Sequence, residues 1–365
     1  MKREYYGNLD TIRCLAAFFV VAYHWLPASK TNPHLGEIGV DIFFVLSGFL
    51  ITEILLRNKN QTEEDKSLRF KFLQSFYVKR ALRIFPIYFI FVTFFFLSND
   101  PAIGFDWLYV FTYTTNFLLF FKRIWIHPIS HTWSLSVEEQ FYIIWPFLIL
   151  FVRKAWQIYL ILSVIVTSWL FIAFASSGNP FFFMLPFSCM STLGLGALLA
   201  YLKNSSEVSF VRTKRYFLPA TLVGILVFLL LSGSADFITR HIILGTTAFA
   251  FIGYAVTSKS RFFNKVFSNR ITSYLGRISY GIYLYHVPTP WLVRNLNGTE
   301  DKIVLHIPKL LPVFHNGYVI LFENLVVLLA LSTLSWYLIE RPIKSARRIF
   351  PSYKLPVLSL YKRPE

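Results

Sequence analysis

Ten apolar stretches, each of a length that crosses a bilayer as a helix, dominate this sequence. The first runs from Leu9 to Pro27. The others lie at Ile38–Leu56, Ala81–Leu97, Ser134–Val152, Ala155–Ala175, Phe183–Leu202, Tyr216–Leu231, His241–Val256, Ile271–Trp291 and Tyr318–Ile339. The first contains Arg13 and has no small-residue cleavage site near its end, so it reads as an uncleaved span and not a signal peptide. Length alone would allow two or three soluble domains. Composition overrides that: 55% of the 365 residues are hydrophobic and 15% charged, against about 25% charged in soluble chains. The expected fold is an all-α integral membrane protein of about ten transmembrane helices. The apolar, aromatic stretch Phe105–Phe121 is expected to re-enter or lie at the interface, giving a possible re-entrant segment near 105–130.

Charge supports that choice. The net charge is +17, and an excess this basic invites a nucleic-acid reading. With ten spans and a cytoplasmic N-terminus, however, 27 of the 36 Lys and Arg fall on the inner side and seven on the outer; Arg13 and Arg277 lie within spans. Such a bias orients a membrane protein. Both termini are then cytoplasmic, and no nucleic-acid partner is expected. A full span at Phe105–Phe121 would invert everything after it. Residues 1–345 read as one transmembrane domain and 346–365 as a short basic cytoplasmic tail. Cys14 and Cys189 form neither a metal spacing nor a disulfide framework.

An ionisable group inside a span costs at least about 2.5 kcal/mol on insertion scales and so draws attention to itself. Arg13 and His24 are eleven residues apart, which returns to nearly the same helix face roughly 16 Å along the axis. Folding the first hairpin near Asn32–Pro33 sets His24 level with Asp41, and Arg13 level with Glu53. A His held by a carboxylate is a suitable general base; the same pair could equally steady the hairpin, and the hairpin alone leaves both readings open. Arg13 is expected to neutralise Glu53. Arg80 and Arg83 share a helix face at the cytoplasmic mouth of the third span, where two guanidiniums can clamp phosphates. Pro86 follows one turn later. Glu138 and Glu139 open the fourth span inside the run His131-Thr-Trp133-Ser134-Leu-Ser-Val-Glu138-Glu139-Gln140-Phe-Tyr142. One carboxylate could favour the helix N-terminus; Tyr142 shares the face of Glu138. Near the end of the chain, Ser279-Tyr280-Gly281-Ile-Tyr283-Leu-Tyr285-His286 offers polar groups at helical spacing, of which His286 is the functional candidate.

These clusters together resemble acyltransferase family 3, bacterial membrane enzymes that O-acylate sugars. The matching pieces are Leu9-Asp10-x-x-Arg13 with His24, Gly39-Val-Asp41-Ile-Phe-Phe-Val-Leu-Ser47-Gly48-Phe49-Leu-Ile-Thr52, and Arg80-x-x-Arg83-Ile-x-Pro86. The His131–Tyr142 run, Ile278-Ser279-Tyr280-x-x-Tyr283-Leu-x-His286 and Glu340-Arg341-Pro342 complete six elements in order. The resemblance implies a multi-pass protein of the bacterial cytoplasmic membrane. Such a protein moves an acyl group, acetyl being expected, from cytoplasmic acyl-CoA to a hydroxyl of an extracytoplasmic or lipid-linked glycan, among membrane lipids and without a metal. The family's first-span Arg and His map onto Arg13 and His24. Catalysis is accordingly expected of His24 with Asp41, Glu138 and Arg13, and CoA binding of Arg80, Arg83 and Ser47. Glu139, Trp133, Tyr142 and His286 are expected at the acceptor: carboxylates accept from sugar hydroxyls and Trp133 could stack on a ring. Many relatives carry an appended hydrolase-like domain, and none is expected in this chain. The competing reading is a glycan or lipid-linked sugar transporter or flippase without transfer chemistry, whose mark would be internal repeats with broken helices in matching halves.

Overall fold

The computed structural model describes residues 6–26, 33–61, 67–98, 106–205, 207–297 and 317–346. The tail beyond 346, the centre of the first hairpin turn and most of the loop before the last span lie outside them. The described residues are helical, with no strand among them. In chain order the helices are α1 (Gly7–Trp25), α2 (Leu35–Gln61), α3 (Ser67–Leu97), α4 (Trp107–Phe111), α5 (Thr115–Lys122), α6 (Trp133–Phe151), α7 (Gln157–Ala175) and α8 (Pro186–Ser205). They continue as α9 (Glu207–Leu231), α10 (Phe237–Thr257), α11 (Arg261–Phe267), α12 (Arg270–Arg277), α13 (Ser279–Tyr285), α14 (Thr289–Asn297), α15 (Gly317–Ser335) and α16 (Arg341–Ala346).

Seven of these segments are long and apolar enough to cross a membrane: Leu35–Asn60, Leu68–Leu97, Ser130–Phe151, Lys154–Ala175, Arg212–Leu231, Phe237–Thr257 and Gly317–Ile343. The protein is an all-α, multi-pass membrane protein. Helices α1 and α8 are continuous over 19 and 20 residues but carry more polar groups, such as Asp10 and Arg13 in α1 and Ser188, Ser191 and Thr192 in α8. The stretch at 105–121 forms α4 and α5, of five and eight residues, each too short to span.

The expected span Ile271–Trp291 is not one helix. It is broken into α12, α13 and α14. At the first break Ser279 Oγ donates to the Gly276 carbonyl at 2.9 Å, a side chain competing for a carbonyl that the next turn would otherwise use. At the second, Pro288 and Pro290 lack the amide protons that a helix interior needs. Irregular backbone at this depth is tolerated because it is enclosed by protein: Ile278, Ser279 and His286 are all buried. The break leaves His286 at the C-terminal end of α13, turned toward α1.

Small residues set the helix spacing. A side chain at Gly48 of α2 would overlap the Leu193 carbonyl of α8, and one at Gly196 of α8 would overlap the Val45 carbonyl of α2. This reciprocal approach of two backbones is the small-residue packing that replaces hydrophobic drive between membrane helices. It also fixes neighbouring Ser47 on the side of α2 that meets α6. The far end of α6 is capped by charge and amide. Lys59 donates to the carbonyls of Ile149, at 2.9 Å, and Val152; Arg69 reaches Leu150 O at 3.3 Å, and Gln157 reaches Ile149 O at 2.9 Å. These groups satisfy the last-turn carbonyls and complement the helix dipole.

Candidate active site

Three imidazoles converge where α1 ends, where α13 breaks, and at the 3-10 turn Ser130–Thr132 that leads into α6. The ring centroids of His24 and His286 are 5.1 Å apart, and those of His286 and His131 also 5.1 Å. His24 is exposed, whereas His286 and His131 are buried. Backbone carbonyls orient both buried rings. His286 Nδ1 lies 2.6 Å from the Tyr283 carbonyl, and His131 Nε2 lies 2.9 Å from that of Leu284. A carbonyl only accepts, so each of these nitrogens donates. The Trp25 indole donates to the His286 carbonyl at 2.8 Å, docking the end of α1 on the break. The Tyr283 hydroxyl donates to the His131 carbonyl at 3.1 Å and lies 2.5 Å from Ser134 Oγ.

From His131 a polar stripe descends α6. Ser134, Glu138 and Tyr142 follow at four-residue steps on one face, with Glu138 roughly 10 Å below His131 along the axis. Ser47 donates to Glu138 Oε1 at 2.7 Å. Arg80 lies 3.9 Å from Glu139 and stacks over the Tyr142 ring, 3.4 Å from its centroid. Arg83 is near enough to act electrostatically on both glutamates. Ser47, Glu138, Glu139, Arg80, Arg83 and Tyr142 are thus brought together, and His24, His131 and His286 form a second group above them on the same stripe.

Several expected pairings are corrected. Asp41 is not beside His24. Its carboxylate lies 3.3 Å from His241 Nδ1 of α10, and His241 Nε2 lies 2.9 Å from Ser191 Oγ of α8. The α2 face bearing Asp41 turns toward α8 and α10 because the Gly48–Gly196 approach holds it there. Arg13 does not neutralise Glu53. It pairs with Asp10, one turn back, at 2.9 Å; Glu53 is held at 2.7 Å by both Arg57 and Lys203 and at 3.0 Å by the Tyr6 hydroxyl. Helix α3 begins at Ser67, so Arg80 lies thirteen residues, roughly 20 Å, from the start of that helix. Trp133 is buried edge-on against Phe44 and Phe183, a packing role in place of the ring stacking expected of it.

The expectations did not single out His131, Tyr283, Ser191 or His241. His131 carried a readable signal, seven residues before Glu138 and so nearly on its face. For His241 no local pattern links a residue to a partner two hundred positions away. Among the described residues, no group of three or more His, Cys, Asp or Glu is arranged to hold a metal ion.

The peptidoglycan O-acetyltransferase OatA of Listeria monocytogenes is 30% identical over 317 residues, covering 78% of this chain and 49% of that protein. A putative O-acetyltransferase of Staphylococcus aureus is 28% identical over 314 residues, covering 78% of this chain and 50% of its own. The O-acetyltransferase OatA of Staphylococcus aureus is 26% identical over 379 residues, covering 93% and 57%. The chain spans about half the length of the curated relatives it matches. No solved structure gives a significant match. A family model described as an acyltransferase domain matches residues 6–341, and the chain belongs to that family.

Proposed function

We propose that this protein transfers an acyl group, acetyl in the first instance, from cytoplasmic acyl-CoA to a hydroxyl of a glycan or lipid-linked sugar on the other face of the bacterial cytoplasmic membrane. The observation that carries the reading is the polar stripe itself. It runs from the Arg80–Glu139–Tyr142 group toward the exposed His24 through the interior of the bundle. The charge bias of the sequence assigns the Arg57, Arg69 and Lys203 end to the cytoplasm. The names of the relatives as O-acetyltransferases support the chemistry, and the peptidoglycan named for one of them supports a glycan acceptor.

In this reading the CoA phosphates stay at the basic cytoplasmic end. The thin pantetheine arm enters along the stripe past Arg80, Arg83 and Ser47, so that its acyl end reaches up toward His24. The acceptor hydroxyl arrives at His24. The His24 imidazole takes the hydroxyl proton as the oxygen attacks the thioester carbon. The new C–O bond forms, the C–S bond breaks, and the CoA thiolate receives the proton from His24. Glu138 and Glu139 accept hydrogen bonds from acceptor hydroxyls, with Tyr142 beside them and Arg80 holding Glu139 in place. Arg13, paired with Asp10 on α1, holds the base of that helix.

Purified protein in detergent with acetyl-CoA and a panel of glycan acceptors tests this. Acceptor-dependent release of CoA thiol, with acetyl found on the acceptor by mass spectrometry, is expected. No release over the panel, together with no CoA binding, overturns it.

A further inference from the structure

Among the described residues, His24 is paired with no carboxylate of the kind a histidine base usually leans on. Asp41 is engaged with His241 and Ser191, and Glu138 with Ser47. What stands beside His24 is His286, its ring tilted 51° at 5.1 Å. The Tyr283 carbonyl takes the Nδ1 proton of His286 as a hydrogen bond, so its lone pair is on Nε2. That nitrogen is buried and has no hydrogen-bond partner among the described residues. The ring is locked: Tyr283 is tied to His131 and Ser134, and Trp25 holds the His286 carbonyl. A buried acceptor left without a donor costs about 1–3 kcal/mol, so its retention beside an exposed imidazole is informative.

We propose that His286 is the positioning residue for His24: its Nε2 accepts the second N–H of His24 while His24 holds the proton taken from the acceptor hydroxyl. This rests on His24 being the base. In the Ser-His-Asp arrangement a carboxylate orients the imidazole and stabilises the imidazolium; in this protein a neutral imidazole does so, itself oriented by a backbone carbonyl. The groups facing His24 from the packed elements are His127, His131, His286 and Tyr23. His286 keeps its Nδ1 proton throughout, and the transferred proton passes from hydroxyl to His24 to CoA thiolate, so the step balances. The rings are tilted in the resting protein and align when substrate seats, since catalytic hydrogen bonds commonly tighten only in the complex.

The test compares His286→Phe, which keeps the volume and removes the acceptor, with His286→Gln, which can restore one. His286→Phe is expected to lower kcat about 100-fold with the KM values for acetyl-CoA and acceptor within about 2-fold, and His286→Gln to regain about 10-fold of that loss. Wild-type kcat in His286→Phe, equal losses in both variants, or a loss confined to KM overturns the proposal. A second readout does not need transfer. In 15N-histidine protein in detergent, acidified until His24 holds a proton, the His24 ring resonances, assigned by a His24→Gln variant, are expected to change in His286→Phe. Insensitive His24 resonances overturn the proposal. Sensitive resonances in a wild-type protein that transfers nothing support the pairing and overturn the functional reading alone.

Discussion

Two histidine-centred clusters lie in the bundle, one between α2, α8 and α10 and the other between α1, α13 and the turn before α6, and they differ in one respect. The His241 cluster is closed: Asp41 on one nitrogen, Ser191 on the other, and all three residues buried. The His24 cluster is open: one exposed imidazole, and behind it a buried one whose Nε2 has no partner among the described residues. A satisfied buried polar group specifies how helices meet; an unsatisfied one next to solvent marks where something else is to bind. In the proposed reading, the cluster that looks like a nucleophilic triad by residue type is the structural one, and the cluster around His24 is the chemical one.

The comparison breaks most readily at the base. His24→Ala is expected to reduce acetyl transfer by at least about 1,000-fold with the melting temperature in detergent within a few degrees of wild type; substantial residual turnover would move the chemistry elsewhere. At the closed cluster the effect should fall on stability. Asp41→Ala leaves His241 without its carboxylate, and breaking such a buried pair costs about 3–5 kcal/mol. Detergent melting should fall sharply, and a paired Asp41→Leu, His241→Phe variant should recover part of the loss. If the double variant is no better than the single, the cluster is more than a structural clamp.

How much of this was legible from sequence follows from how far each partner lies along the chain. The apolar runs and the one-sided Lys and Arg already fix a multi-pass helical protein. The stripe on α6 is a local repeat, so Glu138, Tyr142 and in principle His131 could be read from spacing. Asp41 could not. The hairpin register offered His24 as a nearby partner, and the true partner, His241, becomes adjacent only once glycines draw α2 and α8 together. The break that exposes His286 to His24 left a signal that the span reading passed over: Arg277, Ser279, Pro288 and Pro290 interrupt the apolar run. The length of α3 was not legible either: the helix starts fourteen residues before the apolar run that announced it.

The lower stripe gives a smaller effect. Arg80→Lys keeps the charge but loses the planar guanidinium that lies over Tyr142. Lys does not replace Arg at a stacked site, so the KM for acetyl-CoA is expected to rise about 10-fold with kcat less affected, a contribution of about 1.4 kcal/mol. An unchanged KM removes Arg80 from the donor path. Smallest of all, exposed Asp236 caps α10 through the Thr239 amide at 3.0 Å, one turn before His241 and outside the His24 cluster. Asp236→Ala should lower stability by about 1 kcal/mol and leave kcat unchanged; a loss of turnover would mean that the α10 end is coupled to the site.

The most direct measurement of the central claim sets the two clusters against each other in one assay. Acceptor-dependent CoA release is followed for His24→Gln and His241→Gln, normalised to the folded fraction determined by size-exclusion chromatography and melting. Turnover lost in His24→Gln and kept per folded molecule in His241→Gln is the predicted result. Turnover kept in His24→Gln and lost in well-folded His241→Gln would contradict the account and transfer the chemistry to the Asp41–His241–Ser191 cluster.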